Sequence, residues 1–185
     1  MTATPINGRN SFLQRLVGAA ALDAAVYEEV EADRGALAQA FAVVVLSSLA
    51  AGIGAAGLWE PSVEGVVFIT IVSLIAWAAW ALVVLQIGAR VMPTSETRAD
   101  VGQLLRTIGF SATPGLLQVF AAMSAIAVPV FAVTSIWMLL AMIVAVRQAL
   151  DFRSTARAVA VCVLGWVLAL AIAIVLGLVF GPRVS

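Results

Sequence analysis

TIGFSATPGLLQVFAAMSAIAVPVFAVTSIWMLLAMIVAV, residues 107–146, holds no charged side chain and is bracketed by Arg106 and Arg147. An uncharged run of about 40 residues is twice the ~20 that one helix needs to cross a bilayer. It must therefore cross and return, with a turn expected near Ala127-Val128-Pro129 and both ends on one side of the membrane. Its first arm carries Gly109, Phe110 and Pro114. Proline lacks an N–H and clashes with the carbonyl four residues back, here Phe110, so a break or kink is predicted at these three residues. The regular part would then cover 114–128, roughly 22 Å at 1.5 Å per residue. That is short against a ~30 Å hydrocarbon core.

The composition agrees with a membrane solvent. The chain has 185 residues, 63% hydrophobic and 11% charged, with a mean hydropathy of +1.11. Soluble domains carry about 25% charged residues, and here the apolar residues come in blocks of span length. The formal charge is zero, which gives no footing for nucleic acid. Histidine is absent and Cys162 is the single cysteine, so neither a disulfide within the chain nor the usual zinc clusters can be built. All ten basic residues are arginine, a bias that GC-rich bacterial coding produces. The first long apolar block starts at Gly35, with no short apolar core and cleavage site before it, so the first span is expected to act as the insertion signal.

An all-α polytopic membrane protein with five transmembrane helices is expected. Residues 1–34 form a cytoplasmic amphipathic segment and residues 35–185 a five-helix membrane domain, with spans near 35–57, 65–89, 107–128, 130–146 and 158–180. In the first segment Ser11 can cap a helix, after which Phe12, Leu13, Leu16, Val17, Ala20, Ala24, Tyr27 and Val30 recur at roughly helical spacing. That pattern predicts a helix on the membrane surface with its apolar face down. Ser48, Gly52 and Ala56 place small side chains on one face of the first span, where another helix can approach. Trp59-Glu60-Pro61 and Pro93-Thr94-Ser95-Glu96 read as turns, and 97–111 as an interfacial helix entering the third span.

Orientation follows from arginine. Arg9, Arg15, Arg34, Arg90, Arg98, Arg106, Arg147, Arg153 and Arg157 all fall on one side of a five-span arrangement, and Arg183 alone on the other. Positive residues stay inside, which puts the amino terminus in the cytoplasm and the carboxyl terminus outside a bacterial inner membrane.

No Asp, Glu, Lys, Arg or His lies inside an expected span, which weighs against a pump or a proton-coupled carrier. Gln86, Gln118, Ser47, Ser48, Ser73, Thr70, Thr134 and Ser135 are the polar span residues, suited to hydrogen bonds between helices or to lining a path. Trp77, Trp80, Trp137 and Trp166 lie within spans, where an indole N–H needs an internal partner or a cavity. The acidic run from Tyr27 to Asp33 puts Glu28 and Glu31 on one helix face and Glu29 and Asp33 on another. Such carboxylates either pair with Arg106, Arg147 or Arg157 and lock helices together, or hold a divalent cation. Arg147 and Asp151 form a further i,i+4 pair. One polar cluster is expected at the cytoplasmic face, made of Tyr27, Glu28, Glu31, Asp33, Arg106, Arg147 and Asp151. There is no nucleophile–base pair, metal set or phosphate loop, so neither an enzyme nor a cofactor is expected.

Gly109-Phe110-x-x-x-Pro114 resembles the Gly-Tyr-x-x-x-Pro element of the Ypt/Rab-interacting protein (YIP) family of five-span membrane proteins. The bacterial branch is similar at LDAAVYEEVEADRGALAQAFAVVV, at QLLRTIGFSATPG and at AVRQALDF, and the resemblance extends from about Leu22 to Gly165. It implies a multi-pass membrane fold without known catalysis; eukaryotic relatives are associated with small GTPases and membrane traffic. In place of their Asp-Leu-Tyr-Gly-Pro element stands Tyr27 followed by the acidic run, so fold and location carry over but GTPase partnership does not. The reading is a non-enzymatic, membrane-organising or partner-binding protein. Its partners are the lipid bilayer and a protein at the cytoplasmic face, with homo-oligomers open. The alternative is a small transporter or channel for a lipid or metabolite.

Overall fold

Helices follow from the apolar blocks almost without interruption. A computed structural model describes residues 10–55, 62–92 and 100–180, and no strand occurs among them. The order is α1 (Phe12–Ala20), α2 (Ala24–Ala32), α3 (Ala36–Gly54), α4 (Val63–Gln86) and α5 (Val101–Ser111), then a 3₁₀ segment (Thr113–Ala122), α6 (Ala127–Ala149) and α7 (Thr155–Phe180). Three stretches are long and apolar enough to cross a membrane: Ala36–Gly54, Val63–Val91 and Ser124–Ala149. Thr155–Ala169 within α7 is a shorter apolar stretch. The bundle shows Phe68, Ile75, Val133, Ile136 and Val163 on its outside, an exterior that suits lipid as solvent.

Capping sets several helix starts. Ser11 and Gln14 form a capping box at α1, and Asp100 and Gln103 form another at α5. Ser62 Oγ accepts from the Gly65 N–H at the start of α4. The expected turns at Trp59-Glu60-Pro61 and Pro93-Thr94-Ser95-Glu96, together with Ala56 and Arg183, lie outside the described residues.

Residues 107–122 do not make one regular helix. α5 stops at Ser111, and the carbonyls freed by the stop are taken up locally. Ser111 Oγ donates to the Ile108 carbonyl at 2.7 Å, Thr113 Oγ1 to the Phe110 carbonyl at 2.7 Å, and Ser47 Oγ of α3 to the Ala112 carbonyl at 2.7 Å. Pro114 has no N–H to offer Phe110, and the neighbouring threonine hydroxyl replaces it. Beyond the break the chain runs as 3₁₀ over ten residues, although runs longer than three or four residues are uncommon. At ~2.0 Å per residue this covers about 20 Å. Neighbouring backbone supports it: a Cβ at Gly54 would collide with the Gln118 carbonyl, so α3 and the 3₁₀ segment meet main chain to main chain.

The turn of the hairpin falls at Met123–Ile126, earlier than Ala127-Val128-Pro129. α6 instead begins at Ala127 and takes Pro129 into its first turn, where the missing N–H has no helical partner to lose.

The core has two centres. Val84, Leu104, Val146, Leu150, Phe152 and Val161 join α4, α5, α6 and α7. Tyr27, Val30, Ala40, Val43, Phe110 and Ala145 join α2 to α3, α5 and α6. Gly109 allows the second to close, because a Cβ there would sit 2.7 Å from the Ala40 Cβ. α1 has two unlike faces. Arg15 and Ala19 point inward, with Arg15 only 2% exposed, while Leu13 and Val17 are 68% and 63% exposed.

Candidate functional site

One end of the bundle gathers the C-termini of α2 and α6, the N-termini of α3, α5 and α7, and most of the charged side chains. Two arginines are built into it from below. Arg106, on α5 and 7% exposed, donates from Nε to the carbonyls of Val30 and Glu31 at 3.0 Å each, and its NH2 also donates to the Glu31 carbonyl. Those carbonyls belong to the last turn of α2, where a helix lacks internal partners and carries partial negative charge. Arg106 thus caps α2 and bolts it to α5. It binds backbone rather than the carboxylates the sequence suggested.

Arg15 is the second. Its Nε and NH2 donate to Glu29 Oε1 at 3.1 and 2.8 Å, NH2 also to Asp33 Oδ2 at 2.8 Å, and NH1 to Gln39 Oε1 at 2.8 Å. Burial opposes its charge, but the hydrogen bonds to Asp33 and Glu29 outweigh burial and hold the guanidinium more firmly protonated than usual. Asn10 adds two hydrogen bonds to Glu29. Sequence reasoning missed this knot. Its only signal was an arginine on the opposite side of α1 from Leu13 and Val17, which reads as a solvated face when α1 is taken alone.

The expected cluster is therefore divided. Asp33 belongs to the Arg15 knot. Tyr27 is fully buried, its hydroxyl donating to the Ala19 carbonyl at 3.2 Å to tie α1 to α2, and burial raises its pKa. Glu28, Glu31, Arg147 and Asp151 do come together. With Gln148, Phe152 and Arg153 they line an open cleft of about 430 Å³ between α2 and the turn after α6.

Within the cleft Gln148 Nε2 donates to Glu28 Oε1 at 2.8 Å, and from outside its wall Gln103 Nε2 donates to Glu31 Oε1 at 3.0 Å. Neither glutamine stood out in the sequence, since amides become informative only when a carboxylate faces them. Arg147 and Asp151 are not paired along one helix, because α6 ends at Ala149 and Asp151 adopts φ 51°. Arg147 Nε donates to the Phe152 carbonyl at 3.3 Å instead, closing the turn. The carboxyl of Glu31 is pushed up to about 7, first by burial, then by the negative charge of Asp151, with Arg106 pulling the other way.

Three carboxylates beside two arginines make a surface of mixed charge. No group of three or more acidic, cysteine or histidine ligands among the described residues could hold a metal ion. What the arrangement can do is hydrogen-bond and ion-pair with another polar surface.

Of the predicted break residues, Gly109 packs on Ala40, Phe110 is fully buried with its ring edge-on to Phe12 at 6.3 Å, and Pro114 is fully buried. They seat α5 beneath the cleft and lend no polar group to it. Comparison with known proteins gives one finding: the family model described as Yip1 domain matches residues 23–176. No curated protein and no solved structure matches.

Proposed function

The chain belongs to the Yip1 domain family, and on that footing we propose that it is a non-enzymatic, multi-pass protein of a bacterial inner membrane that docks a protein partner at the polar end of its bundle. One observation carries the reading. Arg15 and Arg106 are spent on internal clamps, whereas Glu28, Glu31, Arg147 and Asp151 surround an open recess on a bundle whose flanks are otherwise apolar. The clamps fix α2 in place, so the recess is preorganised, which lowers the cost of binding.

In this reading α3, α4, α5 with its 3₁₀ continuation, α6 and α7 are five crossings. Arginine asymmetry puts the cleft in the cytoplasm. The exposed Leu13 and Val17 of α1 lie against the lipid boundary beside it. A transport path gains less support: Gln118 is hydrogen-bonded to Thr134 at 3.2 Å, and Gln86 is not in the wall of the pocket that Gln118 borders.

Co-purification in native lipids tests the proposal. Wild-type protein is expected to retain a soluble partner in fixed stoichiometry, and Asp151→Arg or Glu28→Arg to release it. A partner retained equally by both variants, or by neither the variants nor the wild type, contradicts it.

A further inference from the structure

α1 and α2 form an antiparallel hairpin, and hydrogen bonds to α6 fix its depth. Its open end lies with the clamps: Arg15 of α1 bonds Glu29 and Asp33 at the end of α2, and Gln148 of α6 bonds Glu28. Its closed end is far from there. Trp137 Nε1 donates to the Ala20 carbonyl at 2.7 Å. Trp137 lies near the middle of Ser124–Ala149, a 26-residue stretch long and apolar enough to cross a membrane. Trp137 and Gln148 are ~16.5 Å apart along α6 at 1.5 Å per residue. An indole reaching back toward the cleft by a whole turn, about 5.4 Å, still leaves the Ala20 carbonyl ~11 Å below Gln148. α1 also packs on the 3₁₀ segment beyond the break in 107–122, in keeping with that depth.

The chemistry of the closed end suits lipid. A helix leaves its last four carbonyls without internal partners, and in α1 these are Val17, Gly18, Ala19 and Ala20. Each is taken up by protein. Val17 accepts from the Ala21 N–H and Gly18 from the Asp23 N–H, both at 2.9 Å. Ala19 accepts from the Leu22 N–H at 3.1 Å and from the Tyr27 hydroxyl. Ala20 has the indole of Trp137. At an aqueous surface water would serve these groups, whereas hydrocarbon offers them nothing. Leu13, Val17 and Ala21, spaced by four, form an exposed apolar row along α1. Asp23 is the charged side chain at the tip, where its Oδ1 accepts from the Ala25 N–H at 3.0 Å at the positive end of α2.

On the multi-pass reading, and independently of any partner at the cleft, we infer that the α1–α2 hairpin is inserted through the leaflet on the cleft's side, its row of Leu13, Val17 and Ala21 against the acyl chains and its tip near the midplane. Depth identifies what covers that row, because hydrocarbon surrounds the middle of a membrane-crossing helix. The exposed carboxylate of Asp23 draws water toward the tip, since bilayers accommodate such a charge by water defects and local thinning. The hairpin adds two helices to this leaflet, and the described residues add none to the other. There α6 shows Val128, Val133 and Ile136 to the outside. The bundle is therefore wider on the cleft's side and fits a membrane that is convex on that side.

Spin-label depth tests the insertion. In a Cys162→Ser background, nitroxides on Leu13→Cys, Val17→Cys and Ile136→Cys are compared by their exposure to oxygen and to a water-soluble nickel complex. Ile136, exposed on α6 next to Trp137, reports the midplane. Val17 is expected ~6 Å deeper than Leu13, four residues at 1.5 Å each, and nearer the depth of Ile136. Leu13 and Val17 at one shallow depth above a deep Ile136 is the pattern of a helix lying flat on the surface, and overturns the insertion while leaving the multi-pass bundle intact. A shallow Ile136 removes the bundle and the insertion together. Sidedness tests the shape, because insertion into one leaflet is curvature-sensitive. In small sonicated vesicles Arg153→Cys should react with an impermeant maleimide from outside in a larger share than in large extruded ones. Equal shares in both overturn the preference for a convex surface.

Discussion

Arg15 holds together two acids and an amide that come from the far side of the α1–α2 turn and from α3. Its side chain is 2% exposed, against 24% for Glu29 and 15% for Asp33. Removing one partner from such a knot strands the others, at a cost of ~3 kcal/mol in buried pairs and less where water reaches them. Arg15→Ala is expected to lower the thermal midpoint and to expose the amides of α1 and α2 to hydrogen exchange before those of α6. Loss confined to α1, with α2 unchanged, would show the knot to be ornamental. Glu31 makes a pH-dependent counterpart. Its carboxyl ordinarily titrates near 4.5 and is pushed up to about 7 on folding, so the folded state binds the proton more tightly. The stability it contributes is complete below 4.5 and is lost as pH rises through 7. Facing it are Glu28 from α2, Asp100 and Arg106 from α5 and its cap, and Asp151 from the turn after α6. Amides of α2 should therefore be better protected on the acid side, and Glu31→Gln should flatten that dependence. An unchanged slope in the variant would assign it to other carboxylates.

At the scale of elements, the break between α5 and the 3₁₀ segment was legible because proline has one mechanism and it acts at one fixed distance. Phe110 could be named as the carbonyl left without a donor. The remedy was not legible: Ser47 comes from another helix, and the ten-residue 3₁₀ path exists because Gly54 lets the Gln118 backbone approach. Contacts between distant residues of that kind leave no periodic trace. The Arg15 knot left no trace in the sequence for a related reason, since its partners Glu29, Asp33 and Gln39 come from α2, its C-cap and α3. Gly109 offers the sharpest test of element packing. Gly109→Val drives a branched side chain into Ala40 and is expected to destabilise by ~1–3 kcal/mol. Gly109→Ala should cost less, and equal tolerance of both would mean α3 and α5 are not in close contact there.

The whole molecule was largely readable as a class: charge-free blocks of span length imply helices in lipid, and the described residues form helices and no strand. Which charged residues share a cleft was only partly readable, because Glu28 and Asp151 meet across two helices and a turn. The five-crossing arrangement predicts opposite exposure of the two ends. In a Cys162→Ser background, a cysteine at Arg153 should react with an impermeant maleimide only in inverted vesicles, and one at Ser62 only from outside. Labelling of both from the same side would remove the arrangement. The central claim is that the cleft of Glu28, Glu31, Arg147 and Asp151 receives a protein partner. It is tested most directly by a photo-crosslinking amino acid placed at Gln148, inside the cleft, and at Leu164, on the apolar flank. A discrete protein adduct from Gln148 that is absent from Leu164 and lost on Asp151→Arg is the predicted result. Adducts with lipid alone from Gln148, or the same protein adduct from both positions, would contradict it.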